Sequence, residues 1–170
     1  MILGFKQKFP WGTQTYFREK ILSSAGYVKF DMERFFAQKM QPTLFKPKTH
    51  TIRAGNRWKP GMKLHMAYGV RTKNYQQFNK GIPELEVVKG VQRIEIKWYT
   101  FHMKGLPIMG TKDSSTRVPK VIIDSTEYSG ACSQVRQLAT NDGFDSLEDF
   151  YRWFNKDFEG QIVHFTNYKY

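Results

Sequence analysis

The sequence predicts an α+β fold: short strands forming a small, mainly antiparallel sheet or barrel, with helices gathered toward the ends of the chain. Three observations carry the prediction. In VQRIEIKWY, apolar Ile94, Ile96 and Trp98 alternate with polar Arg93, Glu95 and Lys97, the period of a strand with one buried face. THTIR and MKLHM alternate likewise, and Pro60-Gly61 between them suits the centre of a type II turn, where Pro fixes φ and Gly supplies a positive φ. In SLEDFYRWFNKDF, Leu147, Phe150, Tyr151, Phe154 and Phe158 recur at helical spacing behind Ser146 and Asp149, which resemble a capping box.

The other elements follow along the chain. GFKQKFP reads as a short strand ended by Pro10, after which Thr13 or Thr15 caps a helix through YFREKIL with Phe17 and Ile21 on one face. SSAGY is a break, and DMERFFAQKM reads as a second short helix capped by Asp31, with Phe35, Phe36 and Met40 turned inward. QPTLFKP leads into the THTIR strand, and Met62, Leu64 and Met66 share one face of the next. Residues from about Met103 to Arg117 read as a long loop. PKVIIDS reads as a strand apolar enough to be buried on both faces, CSQVRQLAT as a helix stopping near Gly143, and QIVHFTNY as the closing strand.

A chain of 170 residues suits one domain with a real core, and an aromatic content of 16% argues against disorder. No apolar run approaches the ~18 residues of a membrane span, and MILGFKQKFPWG lacks the apolar core of a signal peptide, so no membrane partner is expected. Cys132 stands alone, which excludes a disulfide framework and suits a reducing cytoplasm. The four histidines, at 50, 65, 102 and 164, lack metal-ligand spacing, and no P-loop, GxGxxG or GxSxG is present. No metal or cofactor is therefore expected, and oligomeric state is left open.

Charge is segregated. The formal net charge is +12, and from Arg34 to Pro83 there is no acid among eleven Lys and Arg residues. From Asn141 to Gly160 the balance reverses, with six acids against Arg152 and Lys156. Fifty residues without an acid point to a polyanionic partner, although the charge alone does not say which; RNA or another single-stranded nucleic acid is one such partner. The candidate contacts are Arg53, Arg57, Trp58, Lys59, Lys63, Arg71, Lys73 and Tyr75, the aromatic residues as base-stacking platforms and the cations as phosphate partners. Within KTHTIR, alternation puts Thr49, Thr51 and Arg53 on one strand face and Lys48, His50 and Ile52 on the other, so a bulge or turn near Pro47 is needed to bring Lys48 to Thr51.

KPKTHTIR, W-K-P-G-M, VQRIEI, LATNDGFDSLEDFYRWF and GQIVHFTNYKY together, in that order, resemble the ASCH family of PUA-like domains. The GFKQKFPWGTQTYFREKIL start suits it too, and the likeness covers most of a single domain, 1–170, with additions near 23–43 and 68–83. The resemblance implies a small mixed, mainly antiparallel PUA-like β-barrel with flanking helices. It also implies binding of RNA or a (modified) nucleoside in a cleft beside the K-x-x-T strand. Some small bacterial members are amidohydrolases that deacetylate N4-acetylcytidine with a lysine and a threonine of K-x-x-T and a later glutamate. The matching positions here are Lys48 and Thr51, with Asp142, one methylene shorter, in place of the glutamate.

A threonine hydroxyl becomes nucleophilic when a base takes its proton, and a lysine serves only if its pKa is lowered, as a positive, acid-free neighbourhood lowers it. Arg53 and His50 are then candidates to hold an oxyanion or a base edge. Three readings stand: an RNA-binding module, an amidohydrolase with Thr51 as nucleophile and Lys48 as base, and a domain that docks proteins through its acidic C-terminal helix.

Overall fold

The computed structural model describes residues 1–27, 46–102 and 115–170. Alternating apolar residues and local turn chemistry set most of its strands. They are β1 (Ile2–Gly4), β2 (His50–Ala54), β3 (His65–Tyr68), β4 (Gln76–Gln77), β5 (Gly90–His102), β6 (Ser115–Ile123), β7 (Thr126–Ser129) and β8 (Phe158–His164). Among the described residues the helices are α1 (Phe17–Ser24), α2 (Ser133–Asn141) and α3 (Leu147–Trp153), with a 3-10 turn at Pro83–Leu85. The fold is mixed α+β and mostly antiparallel.

Two sheets form. One runs β1-β3-β4, its first pair parallel, and the other runs β2-β8-β5-β6-β7, antiparallel throughout. Among the described residues these pairings do not close a barrel. On the inner face of the larger sheet Ile52, Ile94, Ile96, Val121 and Ile162 are buried beside Leu138 and Phe150 of the helices. No helix among the described residues is long and apolar enough to cross a membrane.

Local signals are realised closely. Gly61 has φ +82 and the Met62 N–H donates to the Lys59 carbonyl at 3.3 Å, which closes the Pro60-Gly61 turn. Ser146 Oγ accepts from the Asp149 N–H at 3.0 Å and caps α3. Phe17 and Ile21 are both buried under α1.

Other expectations need correction. Helix α3 ends at Trp153, because Phe158 is already the first residue of β8. In PKVIIDS, Val121 and Ile123 are buried but Ile122, on the other face of β6, is only half-buried, so one face is fully buried and the other partly. A hairpin unforeseen in the sequence joins β6 to β7 through Asp124 and Ser125, both at positive φ (46 and 79), with Ile123 opposite Thr126. Helix α1 has Tyr16, at φ 50, at its N-cap rather than a threonine, although Thr15 Oγ1 accepts from the Phe17 N–H at 3.4 Å. The helix read over 31–40 and most of the loop read over 103–117 lie outside the described residues.

Candidate functional site

The site is built around the C-terminus of α2. QLATN has no residue that stops a helix; Gly143 does so by adopting φ +88. The Gly143 N–H donates to the Thr140 carbonyl at 2.9 Å and the Phe144 N–H to the Ala139 carbonyl at 3.0 Å, a Schellman closure with Asp142 at the C-cap. A helix end leaves carbonyls without intrahelical partners and carries partial negative charge. Three are met from distant segments here. The Asn141 carbonyl accepts from the Thr49 N–H at 2.9 Å, the Asp142 carbonyl from Lys48 Nζ, and the Gly143 carbonyl from Lys20 Nζ at 2.8 Å.

Lys48 Nζ also donates to Asp142 Oδ1 at 2.6 Å, and the same oxygen accepts the Ile52 N–H of β2 at 3.2 Å. Both side chains are buried, and Lys48 lies 4.5 Å over the Phe17 ring. Burial pushes the Lys48 pKa down to about 8, against the pull of Asp142, with Arg53 and Lys20 adding a smaller push. Burial likewise raises the Asp142 carboxyl, which Lys48 opposes. The lowered pKa was expected from acid-free surroundings; its cause is burial instead, since the segment's missing acid is supplied from 94 residues away.

Strand β2 pairs with β8 residue for residue from His50 to Ala54, with no bulge. No hydrogen bond joins Lys48 to Thr51. Lys48 precedes the strand and reaches Asp142 at its free edge, and Thr51 is buried with no hydrogen bond from its hydroxyl to a described residue. Arg53 stretches toward the smaller sheet, donating from Nη2 to the Gly4 carbonyl at 2.6 Å and lying 5.1 Å over Phe5. His50 faces the other way. It is fully buried, its ring 5.5 Å from that of His164 and 5.6 Å from that of Tyr170, and neither ring nitrogen has a partner among the described residues. Burial drives its pKa well below the usual histidine value, so it is a neutral packed ring rather than an oxyanion holder.

The candidate nucleic-acid contacts divide. Arg57, Lys59, Lys63, Arg71 and Lys73 are exposed, as is Tyr75 at 43%. Trp58 is corrected: it is 2% exposed and roofed by Arg57 at 5.4 Å, so it offers no face to a base. Its backbone is pinned by Gln161, whose side chain accepts from the Trp58 N–H and donates to its carbonyl. Sequence reasoning placed the helix stop near Gly143 but missed Lys20. Lys20 shares the buried stripe of α1 with Phe17 and Ile21, and a lysine in an apolar stripe was the available signal. Among the described residues no three His, Cys, Asp or Glu side chains gather as metal ligands. No protein-family model, curated protein or solved structure matches the chain.

Proposed function

We propose that the chain is an ASCH-type, PUA-like domain whose two sheets belong to that barrel architecture, and that it binds single-stranded RNA. One observation carries the reading. Arg57, Lys59, Lys63, Arg71 and Lys73 are exposed, and none forms an ion pair with a described residue. Lys59 and Lys63 precede β3, whereas Arg71 and Lys73 follow it, so a strand of roughly 13 Å separates the two groups. A polymer can bridge that span; a free nucleoside cannot, and it carries no phosphate to meet them.

The test is fluorescence anisotropy of labelled single-stranded RNA over a salt series. Neutralising five phosphates gives a log–log slope of about −3.5. Absent binding at low salt, or a flat salt response, overturns the reading.

A second reading, amidohydrolysis of an N4-acetylcytidine-like nucleoside, is favoured by the lowered Lys48 pKa and the uncommitted Thr51 hydroxyl. Against it, Lys48 is already engaged by Asp142, and Lys48, Thr51 and Asp142 are all buried. Cytidine release from N4-acetylcytidine by the wild type, lost in a folded Thr51→Val variant, would establish it; no release by either removes it.

A further inference from the structure

The segment between β1 and α1 folds back on itself at Phe9-Pro10-Trp11-Gly12-Thr13. The Gly12 N–H donates to the Phe9 carbonyl at 3.0 Å, the Phe9 N–H to the Thr13 carbonyl at 2.9 Å, and Lys8 bridges Gln14. With Gly12 at φ +97, this is a three-residue hairpin loop closed by a glycine bulge. The sequence reading of a strand ended at Pro10 overlooked the return.

The tip holds Trp11 flat on Phe9, with ring centroids 4.6 Å apart and planes within 2°. Phe9 is itself buried, edge-on to Phe17 at 5.6 Å and to Trp153 at 5.9 Å. Trp11, half-buried, therefore has a rigid backing. The exposed Arg152 guanidinium lies over the face of Trp11 turned away from Phe9, 4.6 Å from the ring centroid, and Lys6 Nζ lies 5.6 Å over Trp153. Lys6, Lys8 and Arg152 are exposed, and none forms an ion pair with a described residue. Two contacts lead from here to the buried site: Phe9 to Phe17, then Phe17 to Lys48.

We propose that this hairpin tip is a second contact for single-stranded nucleic acid, in which an unpaired base displaces the exposed Arg152 guanidinium from the outer face of Trp11 and stacks there, while the released Arg152, with Lys6 and Lys8, meets the flanking phosphates. The proposal rests on the RNA-binding reading and adds a site on a different loop. Bases stack on aromatic rings and on guanidinium planes, and a pre-ordered ring loses little entropy in doing so. Lys6, Lys8 and Arg152 are engaged by no carboxylate of a described residue, which leaves them available to phosphate.

The experiment is anisotropy of a labelled oligouridylate of about 12 nucleotides with full-length protein over a salt series. Trp11→Ala is expected to weaken binding about tenfold. The salt slope stays unchanged, since a stack releases no counterions, and Trp11→Phe keeps most of the affinity. Arg71→Ala with Lys73→Ala instead lowers the slope by about 1.4. Should Trp11→Ala fail to fold, Arg152→Ala decides, with loss of affinity and a slope smaller by about 0.7 expected. Wild-type binding by folded Trp11→Ala, or by Arg152→Ala where that variant decides, overturns the second contact and leaves the RNA reading standing. No binding by the wild type overturns both.

Discussion

The basic segment that begins at Lys46 contains two kinds of cation, and they behave oppositely. Lys48 is buried, paired with Asp142 and joined to a helix end. Arg57, Lys59 and Lys63, nine to fifteen residues later, are exposed and without an acidic partner among the described residues. A buried charge must be matched inside the fold, so Lys48 is committed to structure before any ligand arrives. An exposed, unmatched charge costs the fold little and stays available to a partner. Proximity in sequence says nothing about which role a lysine has; burial decides it.

The largest effect should come from breaking the buried pair. Asp142→Ala leaves Lys48 without its carboxylate and is expected to cost about 3 to 5 kcal/mol in chemical denaturation. An unchanged denaturation midpoint would show that the pair does not support the fold. The companion double variant, Lys48→Met with Asp142→Leu, should recover most of that loss.

Acid comes next. Burial holds the His50 pKa well below its ordinary value and that of His164 down to about 4, with Lys48 and Lys169 adding to the push and Asp124 opposing it for His164. The unfolded chain then binds protons that the folded chain refuses, so stability falls as pH drops below about 6.5. The loss is up to about 1.4 kcal/mol per pH unit for each histidine, and for His164 it levels off near pH 4. Denaturation at pH 7, 6 and 5 measures the slope, and His50→Phe should flatten it in part. A level wild-type profile contradicts the burial assignment.

Gly143→Ala follows, at about 2 kcal/mol. A Cβ at φ +88 is strained, and it would sit 3.0 Å from Lys48 Cδ and 3.1 Å from the Phe17 ring. Thermal melts of this variant should also show whether the Lys48 seam tolerates a small displacement. The smallest effect belongs to the exposed set: Arg71→Ala with Lys73→Ala should change stability by no more than about 0.5 kcal/mol while weakening RNA binding. A large stability loss there would erase the contrast between the two regions.

What the sequence disclosed is what local rules govern. The Pro60-Gly61 turn, the Ser146 cap and the alternation of β5 each depend on residues within a few positions of one another, and each is present. The β6–β7 hairpin was hidden because Asp124 and Ser125 take the positive φ values usually signalled by glycine. Trp58 was opaque for another reason. Its neighbours in sequence are charged, yet its place is fixed by Gln161, 103 residues away. Lys48 and Thr51 entered as site candidates through a family likeness; Lys48 lies before β2 begins at His50, so strand alternation does not govern it, and Thr51 is buried within the strand. The Asp142 partner of Lys48 also came from that likeness, because no local pattern joins residues 94 apart.

The end of α2 also has a consequence in time. Lys20, Lys48 and Thr49 all wait for carbonyls that lie in residues 141–143. On a translating ribosome adding 5–20 residues per second, Lys48 is made about 5 to 20 s before Asp142. Until then the N-terminal half holds two lysines destined for burial and the edge of β2 unsealed. The last third of the chain, acidic where the middle is basic, arrives late and supplies the carbonyls and the carboxylate that tie α1 and the start of β2 together.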